Sequence, residues 1–208
     1  MKKKTKNKKD PRIAKFLAHP LSWSSISQFR YDKQVWYDRY INDNKGRVTG
    51  PIVFGKNVGE RLASEQSFLP EVPRLKEYEH ELRVNIGGIS CVGFIDNFDL
   101  ENRAFSEFKT GKNWTQKKAQ EHGQIDMYCA MIYLKYGIKP EELTISLIWL
   151  PTEEKQDFRT DFVKDMKPVI FPIKKTMRDV ILFMGEIKNT HKEMQEYILG
   201  ISPLATNS

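Results

Sequence analysis

Ile89-Ser90-Cys91-Val92-Gly93-Phe94-Ile95-Asp96-Asn97-Phe98-Asp99-Leu100, then Glu101-Asn102-Arg103, then Ala104-Phe105-Ser106-Glu107-Phe108-Lys109-Thr110-Gly111 is the stretch that decides the fold. Both long runs are rich in apolar residues and the polar link between them is short enough for a tight turn, which predicts two neighbouring antiparallel strands. Side chains two apart on a strand share a face, so Glu107 and Lys109 point one way and Phe108 the other. With Glu101-Asn102 as the two turn residues, the register counts back to Asp96 opposite Glu107, with Cβ atoms about 5 Å apart. Two carboxylates that close are costly unless neutralised, and a hard divalent cation with oxygen ligands is the usual remedy. The pattern implies a Mg2+ site, in which Mn2+ can substitute. Lys109 beside it can orient or help deprotonate a water, or stabilise charge building on a phosphate. The same charges also suit a solvated sheet face with Lys109 in a cross-strand salt bridge to Asp96 or Glu107, and spacing alone leaves both readings open.

Outward from this pair the pattern stays regular. Tyr78 to Ile86 alternates and is separated from Ile89 by Gly87-Gly88, a hairpin signal, so residues 78–110 read as a three-stranded meander. Thr115 to Tyr136 reads as one long helix with Ile125, Tyr128, Cys129, Ile132 and Tyr136 on one side, ended by Gly137. Gln124 and Tyr128, at i and i+4, share a face of it. Leu143 to Leu150, bounded by Pro140 and Pro151, reads as a buried strand, and Lys174 to Leu199 as a last amphipathic helix. Upstream, Ser22 caps a predicted long helix running to Tyr40, and Phe54 to Leu69 is a second helix carrying Glu60. Arg30, Lys33 and Arg39 on the first helix, interleaved with Tyr31 and Trp36, can contact a nucleic-acid strand by charge and stacking; an aromatic core face with a solvated basic back fits as well. The order α, α, βββ, α, β, α predicts an α/β fold with a small mixed sheet flanked by helices.

Composition sets the bounds. The chain has 208 residues, 39% hydrophobic and 29% charged, enough for one domain with a packed core over residues 11–208. The formal charge is +7, but six lysines and Asp10 in residues 1–10 hold +5 of it, so that segment is expected to be a basic disordered arm and the rest is nearly balanced. No run is long and apolar enough to cross a bilayer. Two cysteines, Cys91 and Cys129, suit neither a disulfide framework nor an iron–sulfur site; a reducing cytoplasm fits.

Five short motifs in order complete the reading: Leu21 to Phe29, Gly55 to Glu60, Gly93-Phe94-Ile95-Asp96, Glu107-Phe108-Lys109-Thr110-Gly111-Lys112 and Gln124-Ile125-Asp126-Met127-Tyr128. Together, over about Leu21 to Leu150, they resemble the PD-(D/E)XK nuclease superfamily, specifically its RecB-type exonuclease branch, which includes CRISPR adaptation nucleases and many phage recombination enzymes. The resemblance implies a restriction-endonuclease-like core and a metal-dependent DNA nuclease, an exonuclease of recombination, repair or phage DNA processing. By it Asp96 and Glu107 are metal ligands joined by the Phe108 carbonyl and Glu60, Lys109 is the catalytic lysine, and Gln124, Tyr128, Arg30 and Lys112 support the site or contact DNA. A helicase or recombination protein is an expected partner besides DNA, and no membrane is. Two positions depart from the family pattern: Gly59 stands where many relatives carry a histidine ligand, and Asp32 where cluster-bearing relatives carry a cysteine, so no iron–sulfur cluster is expected.

Two rivals stay in view. A member of the fold without catalysis, binding nucleic acid or protein, is favoured by Gly59. Gly50-Pro51-Ile52-Val53-Phe54-Gly55-Lys56-Asn57 approaches a phosphate-binding loop but ends in Asn57, which lacks the hydroxyl such a loop offers to magnesium. His19, His80, His122 and His191 lack zinc spacing.

Overall fold

Gly87 and Gly88 both take positive φ, 59° and 94°, and turn the chain between the first two strands as a two-residue hairpin requires. A computed structural model describes residues 10–44, 46, 50–63, 72–111, 113–155, 160–165 and 167–201. The helices are α1 (Pro11–Ala18), α2 (Trp23–Tyr31), α3 (Lys33–Tyr40), α4 (Gly50–Ala63), α5 (Gln116–Gln120), α6 (Gly123–Tyr136) and α7 (Met177–Gly200). The strands are β1 (Glu77–Ile86), β2 (Ile89–Asp99), β3 (Ala104–Gly111), β4 (Thr144–Glu154), β5 (Thr160–Phe162) and β6 (Val169–Ile173). They form a mixed six-stranded sheet in the order β1-β2-β3-β4-β5, with β6 also on β4. Among the described strand pairings β3 and β4 run parallel, Ala104 beside Thr144 through Gly111 beside Pro151, with α5 and α6 as their crossover. The expected α/β fold with a small mixed sheet is the one found.

The chain divides into two compact units, residues 1–46, 83–92 and 184–208 in one and 47–82 and 93–183 in the other. In the first, Trp36 is fully buried, with Phe16 and Phe29 edge-on to it at 5.8 and 4.9 Å, and its indole N–H donates to Ser25 Oγ at 2.9 Å. Leu21 joins the hairpin end as a parallel bridge to Cys91. In the second unit α6 buries Ile125 and then every residue from Met127 to Ile132, which leaves it no solvent face over those turns. A separate apolar cluster of Val58, Leu62, Val72, Ile148 and Leu150, with Phe54, Phe108 and Phe162 against it, seats α4. Among the described residues no helix is long and apolar enough to cross a membrane.

Several elements differ from expectation, each for a local reason. The single helix predicted over Ser22 to Tyr40 is two, because Asp32 adopts an extended backbone and its carboxylate accepts the Val35 N–H at 2.9 Å, capping α3 while ending α2. The helix predicted over Thr115 to Tyr136 is also broken. The Gln120 carbonyl, which a continuous helix would give to the N–H of Gln124, accepts the Lys175 ammonium at 2.6 Å instead. Pro151 does not end β4: it is the last residue paired with β3, beside Gly111, and on the other side of the strand it falls between the stretch paired with β6, up to Trp149, and the stretch paired with β5, from Thr152. The short β5 and β6 and the first helix, α1, were not foreseen; α1 has Asp10 as its cap and Pro11 at its first position. The helix expected from Phe54 to Leu69 starts at Gly50 and is described to Ala63, which puts Gly50 to Asn57 inside a helix and removes the phosphate-loop reading. Apart from Asp10, the basic arm lies outside the described residues, as do Lys112 and residues 64–69.

Candidate active site

The β2–β3 ladder pairs Asp99 with Ala104, Phe98 with Phe105 and Asn97 with Ser106, the register counted from the turn. It stops there. One step further, the Phe108 N–H is taken by the Asp96 carboxylate, Oδ2 at 2.8 Å, so a side chain spans the gap where the two strands part. On its other side β3 stays paired with β4 as far as Gly111. The site sits at this split, and Asn97 steadies it. That residue is wholly buried, accepts the Leu75 N–H at 2.8 Å and donates to the Pro73 carbonyl at 3.0 Å, tying the segment before β1 to β2. Sequence reasoning passed over Asn97; a polar residue in a run of buried ones was its one signal.

Glu107 is 2% exposed. Its Oε1 accepts the Lys109 ammonium at 2.7 Å, while its buried Oε2 has no hydrogen-bond partner among the described residues. Burial pushes its carboxyl up to about 8, the neighbouring Asp96 pushes in the same sense, and Lys109 only partly offsets them. Asp96 is raised too, chiefly by burial, against the pull of Lys109 and the Phe108 N–H. Lys109 donates a second hydrogen bond to Gln124 Oε1 at 2.8 Å, which leaves the Gln124 amide nitrogen to donate to the Tyr128 hydroxyl at 2.7 Å. That hydroxyl in turn donates to the Phe94 carbonyl. A directional chain therefore runs from Lys109, which also donates to Glu107, through Gln124 and Tyr128 to the main chain of β2. Gly93 makes it possible: a Cβ there would lie 2.9 Å from Tyr128 Cε1 and 3.1 Å from Met131 Sδ, so only glycine lets α6 come this close. His122, the N-cap of α6, stands edge-on to Trp114 at 5.3 Å, and burial, with Lys109 nearby, lowers its imidazole to about 4.

The structure thus brings together Asp96, Glu107, Phe108, Lys109, Gln124 and Tyr128. Tyr128 is 2% exposed and fully engaged, which suits support of the site and not contact with DNA. Glu60 is not brought to the carboxylate pair. On α4 it lies two residues from each of the buried Val58 and Leu62, hence on the opposite face, and pairs with Lys56 at 3.6 Å in solvent. Among the described residues no three histidine, cysteine, aspartate or glutamate side chains come together as a metal cluster. Arg30 belongs to the other unit, where it pairs with Glu186 at 3.1 Å. The donors that do converge, the carboxylates of Asp96 and Glu107, the second with its Oε2 orphaned, are of the hard type that suits Mg2+ or Mn2+.

No protein-family model and no curated protein matches the chain. Several solved structures do, two of which follow. One, from Eubacterium rectale and assigned as an exonuclease, has a TM-score of 0.56 at 10% identity, covering 98% of this chain and 89% of that one. The other, a phage-related exonuclease from Haemophilus somnus 129PT, has a TM-score of 0.52 at 13% identity, covering 97% of this chain and 92% of that one. The chain shares their fold. At that identity the likeness concerns the fold alone, and the chemistry has to be argued from the site.

Proposed function

We propose that this protein is a divalent-metal-dependent deoxyribonuclease, an exonuclease of the RecB type that hydrolyses phosphodiester bonds in DNA recombination, repair or phage DNA processing. The observation that carries the reading is Glu107: a carboxyl buried against a second one, with one oxygen unsatisfied, is costly unless a proton or a cation neutralises it, and a cation is what this cluster of hard oxygens suits. Asp96, Glu107 and the Phe108 carbonyl are the groups that would hold Mg2+ or Mn2+. When bound, such an ion supplies Lewis-acid polarisation of a phosphoryl oxygen and lowers the pKa of a coordinated water. Lys109 keeps its ammonium at the edge of this group, fixed by two acceptors, where it can orient the attacking water and stabilise negative charge developing on the phosphate. Gln124 and Tyr128 hold that ammonium still, so little reorganisation is left for the moment of reaction. DNA is the proposed substrate, a helicase or recombination protein a proposed partner, and the cytoplasm the proposed compartment.

The test is an assay of linear, circular and single-stranded DNA with Mg2+ or Mn2+, comparing the parent with Asp96→Asn and Glu107→Gln. An exonuclease degrades linear DNA and spares closed circles, is silenced by EDTA, and is silent in both variants. A second reading, a fold member that binds DNA without cutting it, draws on the separation of Glu60 from the carboxylate pair. Metal-independent binding with no cleavage of any DNA would favour it.

A further inference from the structure

Phe94 breaks the pattern of its neighbours. Phe98 and Phe105 on the same two strands are 0% and 1% exposed, whereas Phe94 is 51% exposed. Burying a phenylalanine ring is favourable, and here the fold forgoes about half of that gain. The main chain beneath the ring is nevertheless held firmly. Gly93 is pressed under Tyr128 and Met131, and the Phe94 carbonyl accepts the Tyr128 hydroxyl at the end of the chain that begins at Lys109. Phe94 also stands two residues from Asp96, a separation of about 6.6 Å along an extended strand. An apolar ring is thus displayed to solvent at a fixed, short remove from the two carboxylates and the ammonium.

A flat apolar surface beside phosphate-handling groups matches the other half of a nucleotide, its base. Every base offers a π-face, so stacking on an aromatic ring is indifferent to sequence. Within a duplex both faces are already covered by neighbouring pairs, and the base free to stack is an unpaired one. We propose that Phe94 is the stacking platform for an unpaired base next to the phosphate that is cut, making single-stranded DNA or a frayed end the substrate this site takes best. The inference rests on the nuclease reading above.

Single-stranded oligonucleotides carrying 2-aminopurine, titrated with the full chain in EDTA, test it without requiring turnover. Binding quenches the fluorophore in the parent and in Phe94→Trp. In Phe94→Ala and Phe94→Leu the quenching is lost and affinity for single strands falls roughly tenfold or more, while affinity for a blunt duplex is unchanged. With Mn2+ the two non-aromatic variants raise KM on single strands and leave kcat near the parent's. Melting temperatures at or above the parent's separate this result from misfolding, since the ring removed is exposed, and the leucine variant keeps apolar bulk without the flat face. Equal quenching and affinity in the alanine variant would overturn the inference, and so would a loss that is the same for duplex and single strand. If the parent cuts DNA normally and the variants match it, the platform alone falls; if the parent neither binds nor cuts any DNA, the nuclease reading falls with it.

Discussion

At the residue scale, Glu107 sets how the metal-free protein responds to pH. A glutamate ordinarily titrates near 4.5, and burial moves Glu107 up to about 8, so between those values the unfolded chain ionises it while the fold keeps it protonated. Its contribution is fully present below about 4.5 and is lost as pH rises through 8. Glu107→Gln keeps the shape and has nothing to ionise; in EDTA it should unfold at higher urea than the parent at pH 8, by a difference on the order of 4 kcal/mol, and match it near pH 4.5. His122 acts in the opposite sense, losing stability as pH falls from 6.5 to about 4, which is why each variant is compared with the parent at the same pH. Lys109 bears on rate. Lys109→Ala should leave Mn2+ binding by calorimetry nearly intact and slow single-turnover cleavage roughly 10²-fold or more, and arginine should not rescue it, because a planar guanidinium cannot replace a compact ammonium held between two acceptors. These residues were legible because charge in an apolar strand is rare and strand parity fixes its face. Asn97 was not, since what makes it matter is the Pro73 to Leu75 segment that packs on it.

At the element scale, the register of β2 and β3 could be counted from a two-residue turn, and the structure keeps that count. Helix ends were harder to read. Asp32 interrupts an apolar rhythm that continues on both sides, and the break before α6 depends on Lys175, more than fifty residues along the chain from the Gln120 carbonyl it occupies. Periodicity registers faces and does not register a carbonyl taken by a distant ammonium. The docking of α6 is a prediction in its own right. Gly93→Ala should force Tyr128 and Met131 outward, costing about 1–3 kcal/mol of stability by overpacking, and should lower kcat more than it raises KM, because the Tyr128 hydroxyl then leaves the Phe94 carbonyl and the alignment of Gln124 and Lys109 slackens. Thermal melts beside steady-state kinetics measure both effects, and unchanged kcat with lowered stability would confine Gly93 to packing.

At the scale of the whole molecule, most of the formal charge lies in the first ten residues. Deleting residues 1–9 should weaken DNA binding at low salt and flatten its dependence on salt, since that slope follows the number of phosphates neutralised, and should leave the cleavage rate at saturating DNA unchanged. Fluorescence titrations at several salt concentrations measure the slope, and a loss of cleavage at saturation would make the arm part of the site. The parallel pairing of β3 with β4 has a kinetic consequence. Ala104 meets Thr144 only after α5 and α6 have been laid across, a long-range closure of the kind that forms slowly. In the unfolded chain Glu107 is open to water and ionised at neutral pH. The completed sheet seals it from solvent, so the metal-free chain should take up a proton as it folds at neutral pH, an uptake that an indicator dye in weakly buffered solution registers.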